Sequence, residues 1–289
     1  MIEGCNILLE RSHCGSNLRS ETRPPFDLPK ETCVLITDEL ASPASFYVYA
    51  TALQRLKEAH RVLVLSAADD LARWHTIAGK TGVNLQQHIN SKAFEYLDVS
   101  SELDREGATT DREGSATLRG LYDTVVDRLA QAGGAPTLVV FDALSEMLWL
   151  GLEDLDARRF CRALRALCLR TQTGLIIRFH KTADGEHDDL LAFLTQLCQF
   201  RLDVCPLSSG RSGVVSGEFL LWLFAQFLLW LYAPLRHDTD ITQIALRRGA
   251  SCFAHHAHIK TIPRSNALQY RLTDYSAMYF EKGTDRAVL

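Results

Sequence analysis

The sequence predicts an α/β fold: a mostly parallel central sheet with helices on both faces and an antiparallel extension at its C-terminal side. Two observations carry this prediction. Short, almost purely apolar runs alternate with longer stretches of helical periodicity, which is the pattern of strands buried on both faces. Near the C-terminal end, segments 244–248, 252–262, 268–273 and 277–281 instead alternate apolar and polar residues, as strands with one solvated face do.

The elements follow in order. Residues 1–30 are polar, carry Pro24-Pro25 and read as a flexible arm, leaving 31–289 as a single domain. Cys33 to Ile36 forms the first buried strand. Ser42-Pro43 supplies an N-cap and a first helical residue, and Phe46, Tyr49, Ala50, Leu53 and Leu56 recur at helical spacing, so a helix fills 43–58. Arg61 to Ser66 is the second strand, and Asp69 opens a helix running to about Lys80. Ala93 to Leu97 is the third strand, followed by an acidic, glycine-interrupted loop over 99–114. The helix at 115–131 places Leu118, Leu121, Val125, Val126 and Leu129 on one face. Thr137 to Phe141 is the fourth strand and ends at Asp142. Glu153 to Arg170 is strongly amphipathic, with Phe160, Leu164, Leu167 and Cys168 inward and Arg158, Arg162 and Arg165 together on the opposite, solvated face. Gly174 to Phe179 is the fifth strand.

Composition narrows the function classes. A chain of 289 residues, 47% hydrophobic and 23% charged, is globular and long enough for one substantial core. The net charge of −4 argues against a dedicated duplex-DNA binder, while leaving room for a local basic patch. Eight cysteines with no CxxC pair read as reduced, mostly buried thiols.

A first strand feeding a turn and a helix, with a later apolar strand closed by aspartate, is the frame of a P-loop NTPase. Such a frame binds phosphate through GxxxxGK[ST], whose glycines let backbone N–H groups approach and whose lysine neutralises the outer oxygens. Here the turn reads Thr37-Asp38-Glu39-Leu40-Ala41-Ser42-Pro43, with neither glycine nor lysine, so the fold lacks a Walker A motif. It sets two carboxylates where polyphosphate would lie, and like charges about 4 Å apart repel by roughly 4 kcal/mol at an effective dielectric of 20. Asp38 and Glu39 complement the helix N-terminus themselves. Asp38, Glu39, Ser42 and Asp142 are therefore degenerate nucleotide-site positions, with Asp142 expected to bond a neighbouring loop. The loop after strand five carries His180, Lys181 and His187 without a nucleophile or metal partner. His255, His256 and His258 with Cys252 have alternating directions on a strand, which suits one tetrahedral zinc site poorly. No cofactor, metal or catalytic residue is expected.

One block is out of character: FLLWLFAQFLLWLYAPLRHDTDITQ at 219–243, an atypical apolar insertion. Its 17-residue apolar core falls at the lower limit for crossing a bilayer. Three readings stand open: a membrane helix, an apolar insertion docking on a partner, or an intron translated in frame.

Several phrases give the frame a family likeness: VLITDELASPASFYVYATAL at 34–53, TGVNL at 81–85, TLVVFDALSEMLWLG at 137–151, DDLLAFLTQL at 188–197, PLSSGRSGVVSGE at 206–218 and the terminal EKGTDRAVL. In their order and spacing the chain resembles the Elongator complex protein 6 family from about residue 30 onward. The resemblance implies a RecA-like P-loop NTPase-type fold and a non-catalytic subunit that forms a hetero-hexameric ring with Elongator subunits 4 and 5. It further implies that the ring binds tRNA and supports modification of wobble uridine-34, in the cytoplasm and also the nucleus. By analogy with RecA-like rings, the loop after strand five faces a central channel, making His180 and Lys181, supported by Arg178, the candidates for tRNA proximity. The competing functions are an ATPase with an unconventional nucleotide site and a membrane-associated scaffold anchored at 219–235.

Overall fold

The computed structural model describes residues 31–39, 42–102, 115–181, 189–205, 217–223, 268–272 and 277–280. The first half alternates strictly: β1 (Cys33–Asp38), α1 (Ser45–Lys57), β2 (Arg61–Ser66), α2 (Leu71–Lys80), α3 (Leu85–Asn90), β3 (Phe94–Asp98), α4 (Ser115–Ala130) and β4 (Thr137–Asp142). The second half comprises α5 (Leu144–Trp149), α6 (Asp154–Arg170), β5 (Gly174–His180), α7 (Asp189–Leu197), β6 (Phe200–Cys205), β7 (Gly217–Leu223), β8 (Leu268–Leu272) and β9 (Ala277–Phe280).

The nine described strands form one sheet in the order β3-β2-β4-β5-β1-β6-β7-β8-β9. The pairings from β3 across to β6 are all parallel, and those from β6 to β9 are antiparallel. This is a RecA-like α/β architecture, as the sequence predicts.

The period of two in each buried strand divides the core. Val34, Ile36, Val62, Val64, Leu138, Val140 and Ile176 point to the face covered by α1, α2 and α3. Cys33, Leu35, Leu63, Leu65, Val139, Phe141, Leu175 and Ile177 point to the face covered by α4 to α7. The handedness of parallel crossovers explains which helix goes where. From β1 to β2 and β2 to β3 the chain steps one way along the sheet, so α1, α2 and α3 share a face. From β3 to β4, β4 to β5 and β5 to β6 it steps the other way, which carries the remaining helices to the opposite face. On the α1 face Trp74 is the packing centre, with Tyr49 edge-on at 4.5 Å and Phe94 at 5.5 Å.

Several details depart from the sequence reading. Helix α1 begins at Ser45 rather than 43, and its N-cap Ala44 has no capping side chain. The Ala44 N–H instead donates to Asp38 Oδ2 at 2.6 Å. Asp70, not Asp69, caps α2 by accepting from the Arg73 N–H at 2.8 Å, while Asp69 accepts from the Tyr49 hydroxyl. Helix α3, capped by Asn84, the short α5 and strand β6 go unread in the sequence. The arginine face of α6 is not uniformly solvated: Arg162 is exposed, Arg158 is half-buried and Arg165 is buried. The apolar block opens as a strand: Phe219 to Leu223 lie in β7, in register with Val204 to Phe200 of β6. Residues 224–243 and the expected strands at 244–248 and 252–262 lie outside the described residues. Among the described residues no helix is long and apolar enough to cross a membrane. Cys33, Cys161, Cys168 and Cys198 are buried thiols and Cys205 a half-buried one, none of them in a disulfide.

Leu35, wholly buried between β5 and β6, tests this register. Leu35→Ala is expected to cost about 2–5 kcal/mol by leaving a cavity in a strand that cannot move between its neighbours. Urea denaturation checks it as a lower midpoint at unchanged slope.

Candidate functional site

In open α/β sheets, ligands bind beyond the carboxyl ends of the strands, where successive crossovers diverge to opposite faces. Here that position lies at the ends of the adjacent strands β4, β5 and β1, with α1 leaving β1 towards one face and α5 and α6 leaving β4 towards the other. Asp142 closes β4, Arg178 and His180 close β5, and Asp38 closes β1. The register sets Ile36 beside Arg178 and Asp38 beside His180. Asp38, Arg178 and His180 therefore project to the α1 face, as Asp142 does by its alternation with Leu138 and Val140.

Their side chains form one closed network. Arg178 lies between the two carboxylates, donating from Nε and Nη2 to Asp38 Oδ2 at 2.9 Å each and from Nη1 to Asp142 Oδ1 at 3.1 Å. The fork geometry of a guanidinium suits this double attachment, which a lysine would not reproduce. Asp38 Oδ2 also accepts the Ala44 N–H, and Oδ1 accepts from His180 Nδ1 at 2.6 Å. The His180 N–H in turn donates to Ser145 Oγ at 2.7 Å, tying the start of α5 to β5. Asp38 is wholly buried, and Arg178 retains 11% of its side-chain exposure.

The electrostatics follow from burial. Removal from water pushes the Asp142 carboxyl up to about 6, against the lowering pull of Arg178 and with a further push from Glu146. Burial opposes the charge on Arg178 as well, but Asp142 and Asp38 outweigh it and raise its pKa above the ordinary arginine value.

The four residues expected as degenerate nucleotide-site positions thus divide. Asp38 and Asp142 come together through Arg178, and Asp142 bonds a strand rather than the loop anticipated for it. Glu39 turns away and pairs through Oε1 with Lys181 Nζ at 3.1 Å, near the surface. Ser42 does not cap α1; its backbone N–H bonds the Glu39 carbonyl at 2.9 Å and its side chain lies against the Tyr270 phenol. The N–H at the start of α1, which a phosphate would use, is taken by Asp38. Among the candidates for tRNA proximity, Lys181 lies nearest the surface, whereas His180 and Arg178 each retain only 11% of their side-chain exposure and belong to the network around Asp38. Trp149, 62% exposed at the end of α5, sets its ring edge-on to His180 at 6.1 Å.

Sequence reasoning did not find the partnership of Arg178 with both aspartates. The signal is present: an arginine within the otherwise apolar run GLIIRF occupies a position whose strand neighbours are buried. Among the described residues no group of three metal-ligating side chains occurs, and His255, His256, His258 and Cys252 lie outside them.

Fold and network together define a RecA-like domain whose strand ends are closed by their own ion pairs. The family model described as Elongation complex protein 6 matches residues 21–226, a span that runs into the apolar block. Elongator complex protein 6 of Danio rerio is 24% identical over 277 residues, covering 89% of this chain and 92% of the relative. The chain belongs to the Elongation complex protein 6 family.

Two outcomes test the network. Arg178→Met leaves two buried carboxylates without their cation and is expected to cost about 3–5 kcal/mol in chemical denaturation, a loss that adding Asp38→Asn and Asp142→Asn reduces. The second is pH-dependent. The folded chain holds a proton on Asp142 up to about pH 6, while an unfolded aspartate releases it near 3.8, so between those values folding takes up a proton. This residue's contribution to stability therefore falls as pH rises through that window, by at most about 3 kcal/mol. Comparing denaturation midpoints of wild type and Asp142→Asn at about pH 4.5 and about pH 7 reads this difference directly.

Proposed function

We propose that this chain is a non-catalytic subunit of the Elongator complex, contributing a RecA-like domain to a hetero-hexameric ring with Elongator subunits 4 and 5. In this reading the ring binds tRNA and supports modification of wobble uridine-34, in the cytoplasm and also the nucleus, while the covalent chemistry takes place on another subunit. Family membership supports the assignment. The observation that carries the non-catalytic part is Asp38, whose carboxylate takes the α1 N–H and the only buried cation at the strand ends among the described residues. A triphosphate entering there would meet buried negative charge, and the Ala44 N–H before α1 is already taken by Asp38.

For tRNA proximity the rim residues lead. Lys181 carries the cation, and His180 and Arg178 support it from behind by holding β5 against Asp38. A phosphate approaching Lys181 competes with one half-buried carboxylate, Glu39, rather than with a saturated network. Trp149 adds an exposed aromatic surface of the kind on which unpaired bases stack.

An affinity pull-down of the tagged chain from its own cells, with stoichiometric mass spectrometry, tests the assembly. Co-recovery of Elongator subunits 4 and 5 is expected; a set of partners without them overturns the reading. In the reconstituted ring, Lys181→Glu is expected to weaken tRNA binding several-fold and to lower the slope of log affinity against log salt by about 1. Unchanged affinity would remove Lys181 from the interface.

A further inference from the structure

Helix α6 carries a stripe that the ring reading does not use. Leu155, Arg158, Arg162, Arg165 and Leu169 recur at spacings of three, four, three and four, the repeat that keeps side chains on one seam of a helix. The core-facing residues Ala157, Phe160, Cys161, Leu164, Leu167 and Cys168 occupy a different face, so this seam is not the one that packs on the sheet. Its two ends are apolar and open to solvent: Leu155 is 54% and Leu169 56% exposed.

Between them the arginines have unusual surroundings. Arg158 and Arg162 lie over the Phe193 ring of α7, with guanidinium carbons 5.7 and 5.4 Å from its centroid. Arg158 pairs with Asp154 through Nη2, yet its Nε is buried without a hydrogen-bond partner. Arg165 is only 7% exposed, and its Nη1 has no hydrogen-bond partner. Among the described residues neither Arg162 nor Arg165 is paired with a carboxylate. A buried guanidinium without a counter-ion carries a desolvation cost that no ion pair among the described residues offsets, and burial of this kind is ordinarily accompanied by a paired anion.

We propose that the α6 seam, flanked by Phe193, is a docking site for an acidic amphipathic helix of a partner protein. Leucines or similar apolar residues of that helix cover Leu155 and Leu169, and its glutamates reach Arg158, Arg162 and Arg165. Two features favour a protein carboxylate over a nucleic-acid phosphate. Arg165 is only 7% exposed, which suits a carboxylate on a single flexible stem better than a phosphodiester, held on both sides by its backbone. The exposed leucines at both ends gain from apolar cover, which a helix-in-groove partner supplies.

The probe is a synthetic helical peptide with leucine at both ends and glutamate at the three positions between, at the same spacing, titrated onto the full chain. Binding is expected to weaken at least about tenfold when the glutamates become glutamines, and likewise in the Arg162→Glu and Arg165→Met chains. Arg165→Met should leave the thermal midpoint equal or higher, because it removes an unpaired buried charge. Arg162→Glu, at an exposed position, keeps the test valid should the buried variant fold poorly. Equal binding of the glutamine peptide, or no effect of Arg162→Glu, would overturn the proposal. So would failure of the peptide to bind while a single-stranded RNA binds wild type and loses about tenfold in Arg162→Glu, which assigns the seam to nucleic acid.

Discussion

Arg178 between Asp38 and Asp142 is the contact on which the upper edge of the sheet depends. Three adjacent parallel strands end there, and each brings a charged group out of water: a carboxylate from β1, a carboxylate from β4, and a guanidinium from β5. Two buried carboxylates without a cation would repel each other and their apolar surroundings, so the strand order β4-β5-β1 is also the order in which these charges compensate. The same carboxylate that takes Arg178 takes the first free N–H before α1, fixing where that helix starts, and through His180 and Ser145 the network reaches the start of α5. Helices on opposite faces of the sheet are thereby registered to one point.

An arrangement of this kind separates the two uses of a RecA-like domain. The sheet, with one helical layer on each face, is retained, and so are the loops at the carboxyl ends of the strands. The charged side chains at the strand ends are directed inward to one another. What remains for partners is the rim, with Lys181 and Trp149, and the flanks, of which the α6 seam is the most chemically distinctive.

Most of the layer architecture was legible in the residues, because strands buried on both faces must be written as apolar runs. Val62 to Leu65 or Leu138 to Phe141 admit no other placement in a chain that alternates with amphipathic helices. Shorter elements were not legible. Leu144 to Trp149 makes one and a half turns, too few for periodicity to show, and Phe200 to Cys205 breaks its apolar run with Arg201 and Asp203, which pair with each other at 2.7 Å. The apolar block at 219 concealed a strand because its composition equally suits a helix; pairing with β6 decides the matter for Phe219 to Leu223. At the site, the turn after β1 announced that phosphate would be poorly received, but the agent of closure, Arg178, lies 140 residues further on. Only the parallel register brings it opposite Ile36. Arg165 was misjudged for a related reason: helical spacing places it with Arg162, while tertiary packing leaves one covered and the other exposed.

Mutual compensation at the strand ends also constrains the evolutionary routes open to this domain. Gaining a phosphate cradle would require a glycine-bearing turn and a lysine after β1, together with removal of Asp38. Removing Asp38 alone leaves Arg178 with a single carboxylate and deprives the Ala44 N–H and His180 of their acceptor. An intermediate without Asp38 would therefore be less stable than the closed state, which acts as a brake: the outer surfaces can be remodelled freely, while nucleotide binding lies across several simultaneous substitutions.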